Sequence, residues 1–401
     1  MSRWALYLAV ATFACVAAPA ATAAGPATMQ PRLTKALAAP SLSLGRTSAL
    51  AVDVTTGSVL FAHKPTLAVA PASNEKIPVS WAALTSLGAG YRFHTEVYGI
   101  GSRVGADWDG DLVLKGFGDP TLSTADLDRL AATIRGRGIR SVSGRILGDE
   151  SFYDAKRGGA GWKPYFTGGE TPPLSALVVD RAKGWPALSP PLLAARSFRD
   201  ALARRGVAVG GRPGLGVAPE TAPTLASDVS DPLALVIRHM NHVSDNFYAE
   251  MLLKQIAAAA GEVGTSAAGG RLVITAMRDA GIPVTGVRMV DGSGLSSLDR
   301  LTAAALVGVI RAGATDPTIR AAFVGSLAVA GISGTLSDRL PTLRGQVKGK
   351  TGTTDLACTL SGLIRTTVAF AVLENGSPVS PWAARSAQDR FVTILASTPT
   401  A

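Results

Sequence analysis

The chain has 401 residues, 47% of them hydrophobic and 17% charged, with a formal net charge of +10. That length exceeds one compact domain and predicts two or more lobes. The composition excludes a disordered chain, and the absence of a fixed-period repeat excludes a solenoid. The positive charge is dispersed, with no basic block interleaved with aromatics, which argues against a nucleic-acid partner.

The chain opens on a targeting pattern. Arg3 precedes an apolar stretch over residues 4–18, and small residues follow to Ala24. The triplet Ala21-Thr22-Ala23 predicts signal-peptidase cleavage near Ala23, so residues 1–24 are assigned to a signal peptide and the protein to the cell envelope or exterior. The apolar run is shorter than the ~20 residues of a spanning helix. After removal of Cys15, Cys358 has no partner and is expected to be a buried thiol. For an exported chain, the positive charge suits peripheral contact with anionic wall polymers or a membrane surface.

Residues 25–45 read as a linker with a short helix. Strands are predicted over 49–54 and 58–62, joined by Thr55-Thr56-Gly57, and a helix begins near Ser73. Pro78 lies five residues after Ser73 and predicts a bend near Asn74. Over 92–228 the texture changes to short strands (93–98, 112–114, 142–147 and 176–179) between turns rich in Gly, Asp and Pro. Helices at 126–134 and 191–204 interrupt them. This reads as a mostly β insertion between two parts of one lobe, 25–91 and 229–401. In the second part, Asp231-Pro232 signals a helix start. Helices are expected over 231–242, 246–259, 266–279, 302–312 and 315–324. Strands follow over 344–350, 357–364 and 366–373, with a last helix from Ser380-Pro381.

Three short motifs carry the chemistry. Ser73-Asn74-Glu75-Lys76 places a hydroxyl and an amine three residues apart, on one helix face. A serine hydroxyl needs a base to become a nucleophile, and a lysine serves only when neutral. Burial and a nearby cation such as Lys350 favour the neutral amine. Ser73 at a helix start also turns backbone N–H groups toward a developing oxyanion. Ser244-Asp245-Asn246 lies between two predicted helices, where Ser244 can relay a proton and Asn246 can bind a substrate amide. Lys350-Thr351-Gly352 ends a strand-like run whose edge suits an extended peptide. There Thr351 and Lys350 suit a carboxylate, Gly352 leaves room, and the Thr353 N–H can pair with that of Ser73. His239 and His242 share a helix face without a third metal ligand in view, so no metal site is assigned.

This set, in this order, resembles the class C low-molecular-mass penicillin-binding proteins, serine D-alanyl-D-alanine carboxypeptidase/endopeptidases. The resemblance extends to Tyr91-Arg92-Phe93, Gly110-Asp111-Leu112-Val113-Leu114-Lys115-Gly116 and Gly118-Asp119-Pro120-Thr121-Leu122. It continues through Phe247-Tyr248-Ala249-Glu250, Asp291-Gly292-Ser293-Gly294-Leu295-Ser296 and Gly334-Thr335-Leu336. It implies an α/β (α+β) transpeptidase-like lobe, with an antiparallel sheet flanked by helices, an all-helical subdomain and an insertion. It also implies peptidoglycan stem peptides as substrate, β-lactams as covalent inhibitors of Ser73, and no cofactor. An insertion Asp holds the amino end of the stem side chain in some members, a part open here to Asp149 or Asp154. Two rival readings are a serine β-lactamase and a wall-binding protein without catalysis. The first lacks an E-x-x-N setting at Glu250, Glu262 or Glu374; the second is not favoured by a complete set of catalytic residue types.

Overall fold

The computed structural model describes residues 26–39 and 41–397. The expected signal peptide and Cys15 lie outside the described residues. The main sheet has six antiparallel strands in the spatial order Ala328–Val329, Val347–Thr353, Ala357–Ile364, Val368–Asn375, Thr47–Asp53 and Val59–His63. Strands from both ends of the chain meet at its centre, with Leu50 opposite Ala371.

The central strand shows why so apolar a run forms here. Val368, Phe370 and Val372 pack with Leu33, Phe61 and Phe391 beneath the helices Pro26–Leu37 and Pro381–Ala396. Ala369, Ala371 and Leu373 point the other way, into a core shared with Ile77, Ala83 and Ile310 of the helices Lys76–Leu87 and Ala303–Thr315. Alternate side chains face opposite sides of a strand, so a strand covered on both faces reads as continuously hydrophobic. The second core extends into a helical subdomain formed by Leu233–Val243, Asn246–Ala259, Ser266–Asp279 and Arg320–Gly325. Pro232 is the N-cap, one residue later than Asp231-Pro232 implied, because its ψ of 146° lies outside the helix.

Between the two parts lies a second sheet of seven strands. A long hairpin, His94–Val104 and Asp107–Gly116, forms its middle, and Thr224–Val229 returns antiparallel beside the first arm. The chain therefore enters and leaves the insertion side by side. Ser230 Oγ accepts the Phe93 N–H at 3.0 Å, and Arg92 donates to the Ser230 carbonyl at 2.6 Å. The expected strand over 142–147 is two, Ser141–Val142 and Ile146–Asp149, both parallel to the second hairpin arm. Helices Thr124–Gly136 and Pro190–Arg204 cover this sheet with Leu130, Ile134, Phe198 and Leu202. Residues 176–179 are buried but form no strand, because their apolar run records burial and not ladder pairing.

Cys358 is 1% exposed and packs beside Val379 and Ala384. A polar thiol reagent is expected to label the folded protein far more slowly than the denatured protein. Equal labelling rates, read by mass spectrometry, would show that this strand is open to solvent.

Candidate active site

Ser73 sits in a 3-10 turn, Ala72–Glu75, that leads into the α-helix Lys76–Leu87. The expected bend near Asn74 takes the form of this change of helix type. Pro78 falls in the first α turn, where the backbone N–H has no intrahelical acceptor, so its ring is tolerated. The turn is riveted to the neighbouring strand. Asn74, fully buried, donates to Thr359 Oγ1 at 2.5 Å and accepts from Ser361, while Thr359 Oγ1 donates to the Pro71 carbonyl at 2.9 Å. Ala72 takes the left-handed φ of 47°, an uncommon and strained conformation for alanine. Two glycines permit the close fit: a Cβ on Gly352 would lie 2.8 Å from the Ser73 nitrogen, and one on Gly294 would lie 1.9 Å from the Ala72 oxygen.

Lys76 is completely buried, and its Nζ meets three acceptors: Ser73 Oγ at 3.0 Å, Asn246 Oδ1 at 2.8 Å and the Ser293 carbonyl at 2.8 Å. Burial lowers its pKa to about 8, opposed by the carboxylates of Asp291, Glu250, Asp245 and Glu75. Sequence reasoning missed this acidic bed, and treated the Asp291-Gly292-Ser293-Gly294 segment only as a family marker. That loop folds around the acids. Glu250 accepts the N–H groups of Gly292 and Ser293 at 2.9 and 2.8 Å, and Asp291 accepts those of Gly294 and Ser296 at 2.7 Å. Asp299 accepts the Val290 N–H at 2.7 Å. The Ser293 carbonyl is thereby aimed at Lys76. Trp162 of the insertion adds a fourth anchor, donating its indole N–H to Asp291 at 2.7 Å. Burial and like charge push Glu250 up to about 8 and Asp299 up to about 10. Glu75, fully buried and with neither carboxyl oxygen hydrogen-bonded, is raised well above the usual range, mainly by burial and then by the neighbouring acids.

Ser244 ends the helix Leu233–Val243 in the left-handed conformation, with φ 61°. Asp245 caps the next helix by accepting the Tyr248 N–H at 3.2 Å, and it pairs with Arg181 at 2.8 Å. Ser244 and Asn246 are thus left for the cleft, and the structure draws Asn246 to Lys76 and Ser244 to Lys350. The buried Lys350 Nζ donates to Ser244 Oγ at 2.8 Å and to the Thr351 carbonyl at 2.7 Å. Its pKa lies well below the ordinary value, through burial and then the charge of Lys76. Burial is thus the main cause for both amines.

Ser73, Ser244, Thr351, Gly352, Thr353 and Arg385 share the lining of a cavity of about 420 Å3. Thr353 also borders a groove of about 480 Å3, to which the insertion contributes Lys163, Tyr165 and Glu170. Neither insertion aspartate named from the sequence borders this groove. Asp149 pairs with Lys115 at 3.4 Å and accepts the Ala218 N–H at 2.9 Å, while Asp154 pairs with Lys254. His239 contacts Asp245 at 3.4 Å, and His242 the Leu327 carbonyl at 3.1 Å.

The buried Glu75 generates a stability test. Its folded carboxyl keeps a proton that the unfolded one releases above the usual 4.5, so wild-type stability falls as pH rises beyond that value. Glutamine cannot ionise. The melting temperature of Glu75→Gln minus that of wild type is expected to grow between pH 5 and 9, and a flat difference would exclude a protonated Glu75.

Comparisons with known proteins bear on this geometry. The D-Ala-D-Ala carboxypeptidase 3 (S13) family matches over residues 29–190 and 185–398. Carboxypeptidase DacB of Mycolicibacterium smegmatis is 32% identical over 419 residues, spanning 95% of this chain and 86% of that protein. The D-alanyl-D-alanine carboxypeptidase of Actinomadura sp. (strain R39) is 29% identical, spanning 84% of this chain and 79% of its own. The crystal structure of penicillin binding protein 4 (dacB) from Haemophilus influenzae superposes with a TM-score of 0.79 at 21% identity, over 91% of this chain and 99% of that one. The sequence match spans nearly the whole chain, both parts of the main lobe and the insertion alike: the chain belongs to the D-Ala-D-Ala carboxypeptidase 3 (S13) family and is a serine-type carboxypeptidase.

Proposed function

We propose that the chain releases the terminal D-Ala of peptidoglycan stem peptides through an acyl-enzyme on Ser73. The observation that carries this reading is the 3.0 Å hydrogen bond between Ser73 Oγ and a wholly buried Lys76 amine. With its pKa near 8, this amine is neutral often enough at physiological pH to take the serine proton. Ser73 Oγ attacks the penultimate D-Ala carbonyl as its proton passes to Lys76. The N–H groups of Ser73 and Thr353 hold the oxyanion, at the place where Gly352 lets strand and turn approach. Asn246 positions the peptide while holding Lys76, and Thr351 with Lys350 provides for the terminal carboxylate. The tetrahedral species collapses, the C–N bond breaks, and the departing amine takes a proton through Ser244, which Lys350 orients at 2.8 Å. Water then attacks the ester and frees Ser73. Every step is assigned to side chains and backbone groups of the chain itself.

β-Lactams enter the same reading as substrates whose acyl group stays on Ser73; the Haemophilus influenzae relative is penicillin-binding by name. The targeting pattern up to Ala23 supports export. Among the described residues, no helix is long and apolar enough to cross a membrane. The net charge of +10 supports peripheral contact with anionic wall polymers or a membrane surface.

Ser73→Ala should lose covalent penicillin labelling entirely, and D-Ala release should fall by several orders of magnitude, with the fold retained. Lys76→Ala should slow acylation by about 10²–10⁴-fold. In wild type, acylation should rise as pH increases through about 8, because deprotonation supplies the base, and then level off. EDTA should change nothing. D-Ala release by a folded Ser73→Ala protein at the wild-type rate would refute the mechanism. Export has its own test: N-terminal sequencing of the secreted protein is expected to begin near Ala24, and an intact Met1 would rule out cleavage.

A further inference from the structure

We infer that Arg385 is a specificity-determining residue that binds the free carboxylate of the departing D-amino acid; the inference rests on the acyl-transfer reading above. The cavity holding Ser73 is lined by Thr351, Thr353 and Ser244, and the groove bordered by the insertion joins it at Thr353. A leaving group beside Ser244 and Thr351 occupies this cavity. A carboxylate there needs a cation within reach, and three are near. Lys350 is wholly buried, and its Nζ is already directed to Ser244 Oγ and the Thr351 carbonyl. It contributes field, not a contact. Arg339 lines the cavity, but its guanidinium is held by Asp389 at 2.6 Å and Gln388 at 3.2 Å.

Arg385 is different. It is exposed, and its guanidinium meets Thr353 Oγ1 at 3.4 Å. Among the described residues it has no carboxylate within ion-pair distance. A guanidinium presents a fork of donors matched to a carboxylate. Its backbone is fixed: Ser380 caps the helix Pro381–Ala396, and Arg339 donates to the Arg385 carbonyl at 3.2 Å. Asp338, the remaining exposed charge on the lining, has the opposite sign and opposes a carboxylate.

The test compares two peptides that differ only at the C-terminus, an acyl-D-Ala-D-Ala acid and the corresponding D-alaninamide. Wild type should prefer the acid, and the preference should shrink with added salt because Arg385 is exposed. Arg385→Gln should lower kcat/KM for the acid by about 10–100-fold, the worth of a charged hydrogen bond, and leave the amide within about twofold. Arg385→Lys should retain part of the preference, as a point charge without the fork. Asp338→Asn should leave the acid-to-amide ratio unchanged or raise it. An unchanged ratio in Arg385→Gln, or an equal loss in Asp338→Asn, would overturn the assignment. Failure of the acyl-transfer reading is distinguishable, since wild type would then cleave neither peptide.

Discussion

The site depends on one buried amine. Taking the Lys76 ammonium out of water is expensive, and three acceptors around Nζ offset that cost only in part. Desolvation pulls the proton off, while four nearby carboxyl groups hold it on. The outcome is a lysine poised near 8, close to where a general base works best. Had the acids been absent, desolvation alone would act and favour the neutral amine. Had they all been ionised, it would stay charged. Glu75 and Glu250 avoid that second result by keeping protons above the usual carboxyl range.

Much of the architecture serves to position this amine. The Lys76 helix packs on the main sheet, whose strands come from both ends of the chain. Asn74, Thr359 and Ser361 lock the Ser73 turn onto the strand beside Val347–Thr353. From the other side, the 290–299 loop wraps the acids and points a carbonyl at Nζ. The insertion takes part as well, through the Trp162 indole on Asp291. It also holds Asn246, whose side-chain amide donates to the Glu170 carbonyl at 3.2 Å.

Charge is divided along the cleft. Lys350 and Lys76 share a low-dielectric interior, where burial, and then the other ammonium, disfavours the charge on Lys350. The exposed guanidinium of Arg385 stands at the cavity, where a carboxylate can reach it. In the proposed mechanism the buried cations tune proton transfer, and an exposed one is available for recognition.

The candidate catalytic motifs were legible from sequence because they are local. Ser73 and Lys76 are three residues apart, and Lys350-Thr351-Gly352-Thr353 is contiguous, so their spacing alone implies a nucleophile with its base and a peptide-binding strand. The apolar runs of the central strands and the textural break at the insertion were equally readable, since both are patterns of neighbouring residues. The acidic bed was not, because Glu75, Glu250 and the 291–299 loop lie far apart in sequence and their acids look like surface groups until folding buries them, which raises the pKa values of Glu75, Glu250 and Asp299. The roles of Trp162 and Arg385 were also hidden, since each acts on a partner that only folding brings near. Sequence by itself determined which groups can do the chemistry. Tertiary structure decided their protonation and partners, because both depend on desolvation and on contacts between residues up to hundreds of positions apart.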